Sequence, residues 1–139
     1  MNTDPRPLDL AQQLGHAQLL LEVTRRMASH STLDGVLAAL IEMTTQALGA
    51  ERGSLFLNDA ETNELYSRVA QGGIQREIRI LNSSGIAGHV FTSKEPLVIA
   101  DAYADARFNR SIDEQTGFTT RSILCVPIKT VHGEVIGIA

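Results

Sequence analysis

The chain reads as an α+β domain, an antiparallel sheet with helices packed on its faces. Three observations predict this. Apolar residues recur at helical spacing from about Leu8 to Leu48, and after Gly49 the period becomes strand-like. The remaining order is three short strands, a helix, a strand, an irregular segment and a closing hairpin.

Residues 1–7, with Pro5 and Pro7, form a lead-in that ends where periodicity begins. The first helix is expected from Leu8, with Leu10, Leu14, Ala17, Leu21, Thr24 and Ala28 on one stripe and Leu20, Val23 and Met27 on a second. Two stripes predict two buried faces, one on the domain and one on a second copy of the chain; the alternative is a single wide core face. Ser31, with Asp34 three residues on, resembles a capping box, and Leu33, Val36, Leu37, Leu40, Ile41, Thr44 and Leu48 follow as a second helix that Gly49 ends. Strands are expected over Arg52–Asn58, Glu64–Gln71 and Arg76–Leu81, reversing at Asn58-Asp59 with Thr62-Asn63 and at Gly72-Gly73. A helix over about Ile86–Ser93 and a strand at Leu97–Ala100 come next. Asp101–Gly117 is irregular with a short helix, Arg121–Lys129 is one strand, and a turn at Val131–Glu134 leads to Val135–Ala139. The last segment is apolar to its final residue, so the natural chain is expected to continue.

At 139 residues, with 43% apolar and 20% charged, the chain has the make-up of one domain with one core. A net charge of -4 and a pI near 5.5, with scattered Lys and Arg, argue against a nucleic-acid partner. The longest apolar runs fall far short of the ~20 residues of a membrane span, and no signal-peptide core precedes them. A soluble, cytoplasmic chain is expected. Cys125 is the sole cysteine, which excludes an internal disulfide and a cysteine-built zinc site. His16, His30, His89 and His132 show no metal-ligand spacing, and no metal is predicted.

Two segments carry the functional signal. Gly85-Ile86-Ala87-Gly88-His89-Val90 is a glycine-flanked helix start whose free backbone N–H groups suit an anion. Ile112–Ser122 places Asp113, Thr116 and Thr120 at spacings of three and four, which on a helical turn leading into a strand lets all three face one cavity. The alternative is local capping, with Asp113 and Thr116 satisfying nearby backbone N–H groups. No catalytic residue emerges: Ser54, Ser83, Ser84 and Ser122 lack His and acid partners at a known motif, and Cys125 lies inside the apolar run Ile123–Ile128. The chain is not expected to be an enzyme.

Arg52–Leu57, Gly85–Val90, Asp101–Asp105, Thr116–Phe118 and Arg121–Ile128 together resemble a GAF domain. The resemblance is to the cyclic-nucleotide-binding type found in tandem in cyanobacterial adenylate cyclases and mammalian phosphodiesterases. It implies a leading and dimerisation helix within residues 1–30 and a GAF domain over 31–139 that lacks its C-terminal strand end and closing helix. It further implies a six-stranded antiparallel sheet that encloses a ligand, cAMP in preference to cGMP, beneath helices and loops. Position by position, Ser54 resembles the residue that hydrogen-bonds the base, and Ile86 and Ala87 the backbone donors to the phosphate. Asp113, Thr116 and Thr120 resemble the polar wall around ribose and base, with Phe118 and Arg121 framing it. Ala70 and Gln71 depart from the phosphodiesterase pattern, which carries a stacking aromatic and then an acid. No cofactor is implied beyond the ligand itself. The output implied is a nucleotide cyclase or phosphodiesterase; the alternative is a dimerisation domain of a sensor kinase or transcriptional regulator with another ligand or none.

Overall fold

A computed structural model describes residues 9–72 and 77–139. Helix α1 (Leu10–Ala28) starts at Asp9, whose carboxylate accepts the Gln12 N–H at 2.8 Å while Gln12 Oε1 accepts the Asp9 N–H at 3.2 Å. This reciprocal cap fixes the start two residues after the expected Leu8, which lies outside the described residues. None of α1 is buried. Val23 and Met27 are half-covered against helix α2 (Leu33–Leu48), while Leu10, Leu14, Leu20 and Leu21 are exposed. The first apolar stripe, through Leu10, Leu14 and Leu21, therefore faces outward in a single chain, together with Leu20 of the second.

Thr32, not Ser31, caps α2: its hydroxyl accepts the Gly35 N–H at 3.1 Å. Asp34 instead pairs with Arg68 across the fold. Gly49 ends the helix at φ 64°, as its freedom from a Cβ allows. Ala39, Ile41 and Met43 are buried where α2 lies on strands β1 (Ser54–Asp59) and β2 (Glu64–Ala70).

The remaining strands are β3 (Arg79–Leu81), β4 (Leu97–Ile99), β5 (Ile123–Cys125), β6 (Pro127–Lys129) and β7 (Val135–Ile138). They form a five-stranded sheet in the order β3-β2-β1-β7-β6 and a two-stranded sheet β4-β5, every pair antiparallel. The single strand expected over Arg121–Lys129 is two. Val126 exchanges both backbone hydrogen bonds with Ala139, at 2.9 and 3.0 Å, and Pro127, which has no N–H, opens the edge strand β6, so the chain passes from one sheet to the other at this point. Counting this bent segment once leaves six strands. Of the second reversal, Gly72 is described, at φ 97°, whereas Gly73 and Arg76 lie outside the described residues.

Helix α3 (Gly85–Ser93) packs on β5 and β7. The buried side chains of Leu65, Ile86, Val90, Ile99, Cys125 and Ile138 form the core between it and the sheets. Leu65 and Val90 are wholly enclosed, each worth about 1.5–3 kcal/mol of apolar transfer. The irregular segment after β4 holds a 3-10 turn at Ala102–Ala104 and helix α4 (Ser111–Thr116).

Candidate ligand-binding site

At the start of α3, Ser84 is extended and offers no side-chain cap, and Gly85 turns the chain at φ 68°, a conformation that L side chains disfavour. The first helical bond runs from the Gly88 N–H to the Ser84 carbonyl at 3.0 Å. The N–H groups of Gly85, Ile86 and Ala87 thus have no acceptor among the described residues, as the first turn of a helix dictates. The Ile86 side chain is in the core and Ala87 packs against it, so what these two residues present is backbone. The chain around Arg107 comes close here: a Cβ on Gly85 would lie 3.6 Å from the Arg107 carbonyl oxygen. Asp105 binds its own turn through Arg107, with bonds of 2.7 to 2.9 Å. The Arg107 guanidinium, then its backbone N–H, hold the Asp105 carboxyl down at about 2.

Asp113 is the one buried charged side chain among the described residues, 7% exposed. Its Oδ2 accepts the Tyr103 hydroxyl and the Thr120 N–H, each at 2.7 Å, and its Oδ1 accepts the Thr120 hydroxyl at 2.7 Å. Burial pushes this carboxyl up, but the Thr120 N–H and hydroxyl, the Tyr103 hydroxyl and the Arg52 charge outweigh burial, and the net shift is downward. The same bond raises the Tyr103 hydroxyl above its ordinary value. Thr116 turns its hydroxyl back to the Ile112 carbonyl at 2.8 Å.

Ser54 opens β1 opposite Ala70, both half-buried. Gln71 is committed to the backbone beside them, its Oε1 accepting the Gly53 N–H at 2.9 Å. Arg52 leans from this edge onto Phe118, its guanidinium 3.9 Å from the ring centroid. That stacking links the Ser54, Ala70 and Gln71 corner to the segment carrying Asp113 and Thr120. Arg121 is exposed, and its carbonyl accepts the Ala102 N–H at 2.7 Å.

Asp113 and Thr120 are therefore in direct contact, Thr116 stands on the same helix as Asp113 with its hydroxyl bound to that helix's own backbone, and Phe118 reaches the strand edge through Arg52. Ile86 and Ala87 meet the segment through Phe108, which packs against the core that holds them. Sequence reasoning missed Tyr103 and Arg52 as parts of this arrangement. Their signals were slight: Tyr103 is one of two tyrosines in the chain, and Arg52 stands two residues before the start of β1. A separate groove of about 300 Å³ lies between α1 and α2, lined by Leu19, Glu22, Arg26, Met43, Gln46 and Ala47. It contains none of the predicted ligand residues. Among the described residues no three His, Cys, Asp or Glu gather as a metal site, and no helix is long and apolar enough to cross a membrane.

The two leading helices, the antiparallel sheet and the helix start beneath a braced loop define an α+β domain, and residues 32–139 match the GAF domain. The chain belongs to the GAF family. It is 36% identical over 143 residues to a probable 3',5'-cyclic phosphodiesterase of Caenorhabditis elegans, covering 94% of this chain and 20% of that protein. It is 35% identical over 144 residues to the dual 3',5'-cyclic-AMP and -GMP phosphodiesterase 11 of Drosophila melanogaster, covering 92% of this chain and 10% of that protein. The chain thus spans 20% or less of the length of these relatives. The GAF domain of a phosphoenolpyruvate-protein phosphotransferase from Coxiella burnetii superposes with a TM-score of 0.80 at 24% identity, over 90% of this chain and 75% of that one. At that identity the likeness concerns the fold alone.

Proposed function

We propose that this GAF domain is a regulatory, non-catalytic sensor that binds a cyclic nucleotide in the cytoplasm, cAMP in preference to cGMP, and signals its occupancy to an output domain such as a nucleotide cyclase. Neither a membrane nor a nucleic acid is a partner in this reading. The observation that carries it is the set of N–H groups at Gly85, Ile86 and Ala87 that have no acceptor among the described residues, beside the cross-braced 101–120 segment. A cyclic phosphodiester bears one negative charge, and the first turn of a helix carries a complementary partial charge of roughly +0.5. An arginine is not required. The phosphate then lies on the Ile86 and Ala87 N–H groups, the base reaches Ser54, and Asp113, Thr116 and Thr120 bound the ribose and base. Ala70, Gln71, Phe118 and Arg121 frame the site. Relatedness to phosphodiesterases, one of them acting on both cAMP and cGMP, supports the ligand class. Calorimetric titration with each nucleotide tests it: heat is expected from both, with tighter binding of cAMP. Tighter cGMP would reverse the preference, and no heat from either would end the nucleotide reading.

A second reading is favoured by α1, where Leu10, Leu14, Leu20 and Leu21 are 83%, 59%, 68% and 71% exposed. The domain is a homodimer through this helix, and in the limiting case a dimerisation module of a sensor kinase, phosphodiesterase or transcriptional regulator with a different ligand or none. Light scattering on the protein and on its Leu14→Asp, Leu21→Asp variant is expected to show a dimer reduced to a monomer. A parent that is already monomeric ends this reading.

A further inference from the structure

We propose that Tyr103 is the positioning residue of this site: its hydroxyl orients the Asp113 carboxylate and, through it, Thr120, leaving one acceptor position on Oδ1 for a donor group of the ligand. The identity of that donor, a ribose hydroxyl or a base N–H, rests on the nucleotide reading above; the positioning role does not.

The direction of cause follows from how each partner is held. Asp113 stands on α4, six residues long, and a helix of that length does not sustain its own geometry in water. Its carboxylate torsion is intrinsically broad. Tyr103, in contrast, is fixed without reference to Asp113. Its ring meets Phe108 at 5.3 Å between centroids, the Arg110 guanidinium lies 4.6 Å from its centroid, and its carbonyl accepts Arg110 Nη2 at 3.1 Å. The hydroxyl therefore stands at a set point, and the carboxylate turns to meet it.

A carboxylate offers about four acceptor positions on its two oxygens. Two on Oδ2 are taken, by Tyr103 and the Thr120 N–H, and one on Oδ1 by the Thr120 hydroxyl. The position left is on Oδ1, and its direction is set because Oδ2 is anchored twice. Removing the Tyr103 hydroxyl leaves the carboxylate held by Thr120 alone, which loosens the Thr120 N–H bond and broadens the direction of the remaining Oδ1 position. The groups acting on Asp113 are Tyr103, Thr120 and the Arg52 charge, and Tyr103 in turn feels Arg110 and Glu114.

Tyr103→Phe deletes the hydroxyl and keeps the ring. Without ligand, the carboxyl carbon of Asp113 followed by NMR is expected to titrate at higher pH in this variant, because a donor to the charged form is lost, and the Thr120 amide is expected to exchange about tenfold faster, the scale of one hydrogen bond to a charged group. cAMP and cGMP are each expected to bind about tenfold more weakly. Phe108→Leu loosens the ring contact and keeps the hydroxyl, so it lowers thermal stability and moves the Asp113 titration in the same direction but less than Tyr103→Phe does. Asp113→Asn offers an independent measurement, since the Tyr103 hydroxyl, followed by its absorbance, should then titrate lower, toward the ordinary tyrosine range. An unmoved Asp113 titration and unchanged Thr120 exchange in Tyr103→Phe, or an unmoved Tyr103 titration in Asp113→Asn, overturns the positioning role. If Asp113 and Thr120 respond but nucleotide affinity equals that of the parent, the assignment of the Oδ1 position to the ligand is overturned. A parent protein that binds neither nucleotide defeats the nucleotide reading, and the ligand-free measurements still decide for or against Tyr103.

Discussion

The same substitution in two helices should have opposite effects. Gly88 is buried in the first turn of α3, and a Cβ built there would lie 2.8 Å from the Ser83 carbonyl carbon and 3.2 Å from both the Asn82 carbonyl carbon and Ser83 Cα. All three neighbours are backbone, so no side chain can rotate away. Replacing Gly88 with Ala gains about 0.8–1 kcal/mol of helix propensity but forces the turn before α3 outward, an overpacking cost in the range of about 1–3 kcal/mol, toward its upper end because main chain must shift. The net is a loss of about 1–2 kcal/mol, or about 4–8 °C in Tm for a domain of this size. Gly15, inside α1, has nothing within 4 Å of its Cβ position and is exposed. Gly15→Ala should keep the propensity gain and raise Tm by about 2–4 °C. Thermal melts followed by circular dichroism, with urea titrations to check that the slope is unchanged, measure both. A Gly88→Ala protein that melts at or above the parent would refute the argument that close approach of Ser83 fixes the start of α3.

Acid should act through Asp113. Its folded value is depressed, so the stability it contributes is fully present above the unfolded carboxyl value of about 3.9 and is lost as pH falls through the folded value. The urea midpoint of the parent should therefore fall below about pH 4 more steeply than that of Asp113→Asn, which should already be less stable at pH 7 by about 1–3 kcal/mol because buried donors lose their acceptor. Equal pH slopes in the two proteins would contradict this. Cys125, whose thiol burial pushes up to about 11, should react with a disulfide reagent at pH 8 on the order of a hundredfold more slowly than a free thiol. Labelling of the native protein at the free-thiol rate would contradict its place in the core.

What could be read from the chain and what could not divides by the sequence distance over which each contact acts. The Gly85–Gly88 corner was legible because a positive φ and a tight first turn are written in two neighbouring glycines, and the second helix because its apolar period and Gly49 are local. Ser31 was preferred to Thr32 as a cap because its partner Asp34 fits a local pattern, yet Asp34 is taken by Arg68, 34 positions away, and no periodicity encodes that competition. The strand over Arg121–Lys129 divides for the same reason: Val126 is drawn to Ala139, a long-range partner, while only Pro127 marks the break locally. At the site, the spacing of Asp113 and Thr120 predicted proximity and they are bonded, whereas the hydroxyl of Thr116, equally well spaced, goes to the carbonyl four residues back. Helical spacing gives the face of a residue but not the acceptor its hydroxyl chooses. Tyr103 and Arg52 were beyond reach because each acts through a partner on another element, Asp113 ten positions on and Phe118 in the segment after α4. The aromatic absent at Ala70 sharpens the point. With Phe118 stacked under Arg52, a planar cation already occupies a ring face near the strand edge, so any base entering there must either share that ring or displace Arg52. The geometry of one tertiary contact, rather than the residue at the expected position, then governs how a purine would be held.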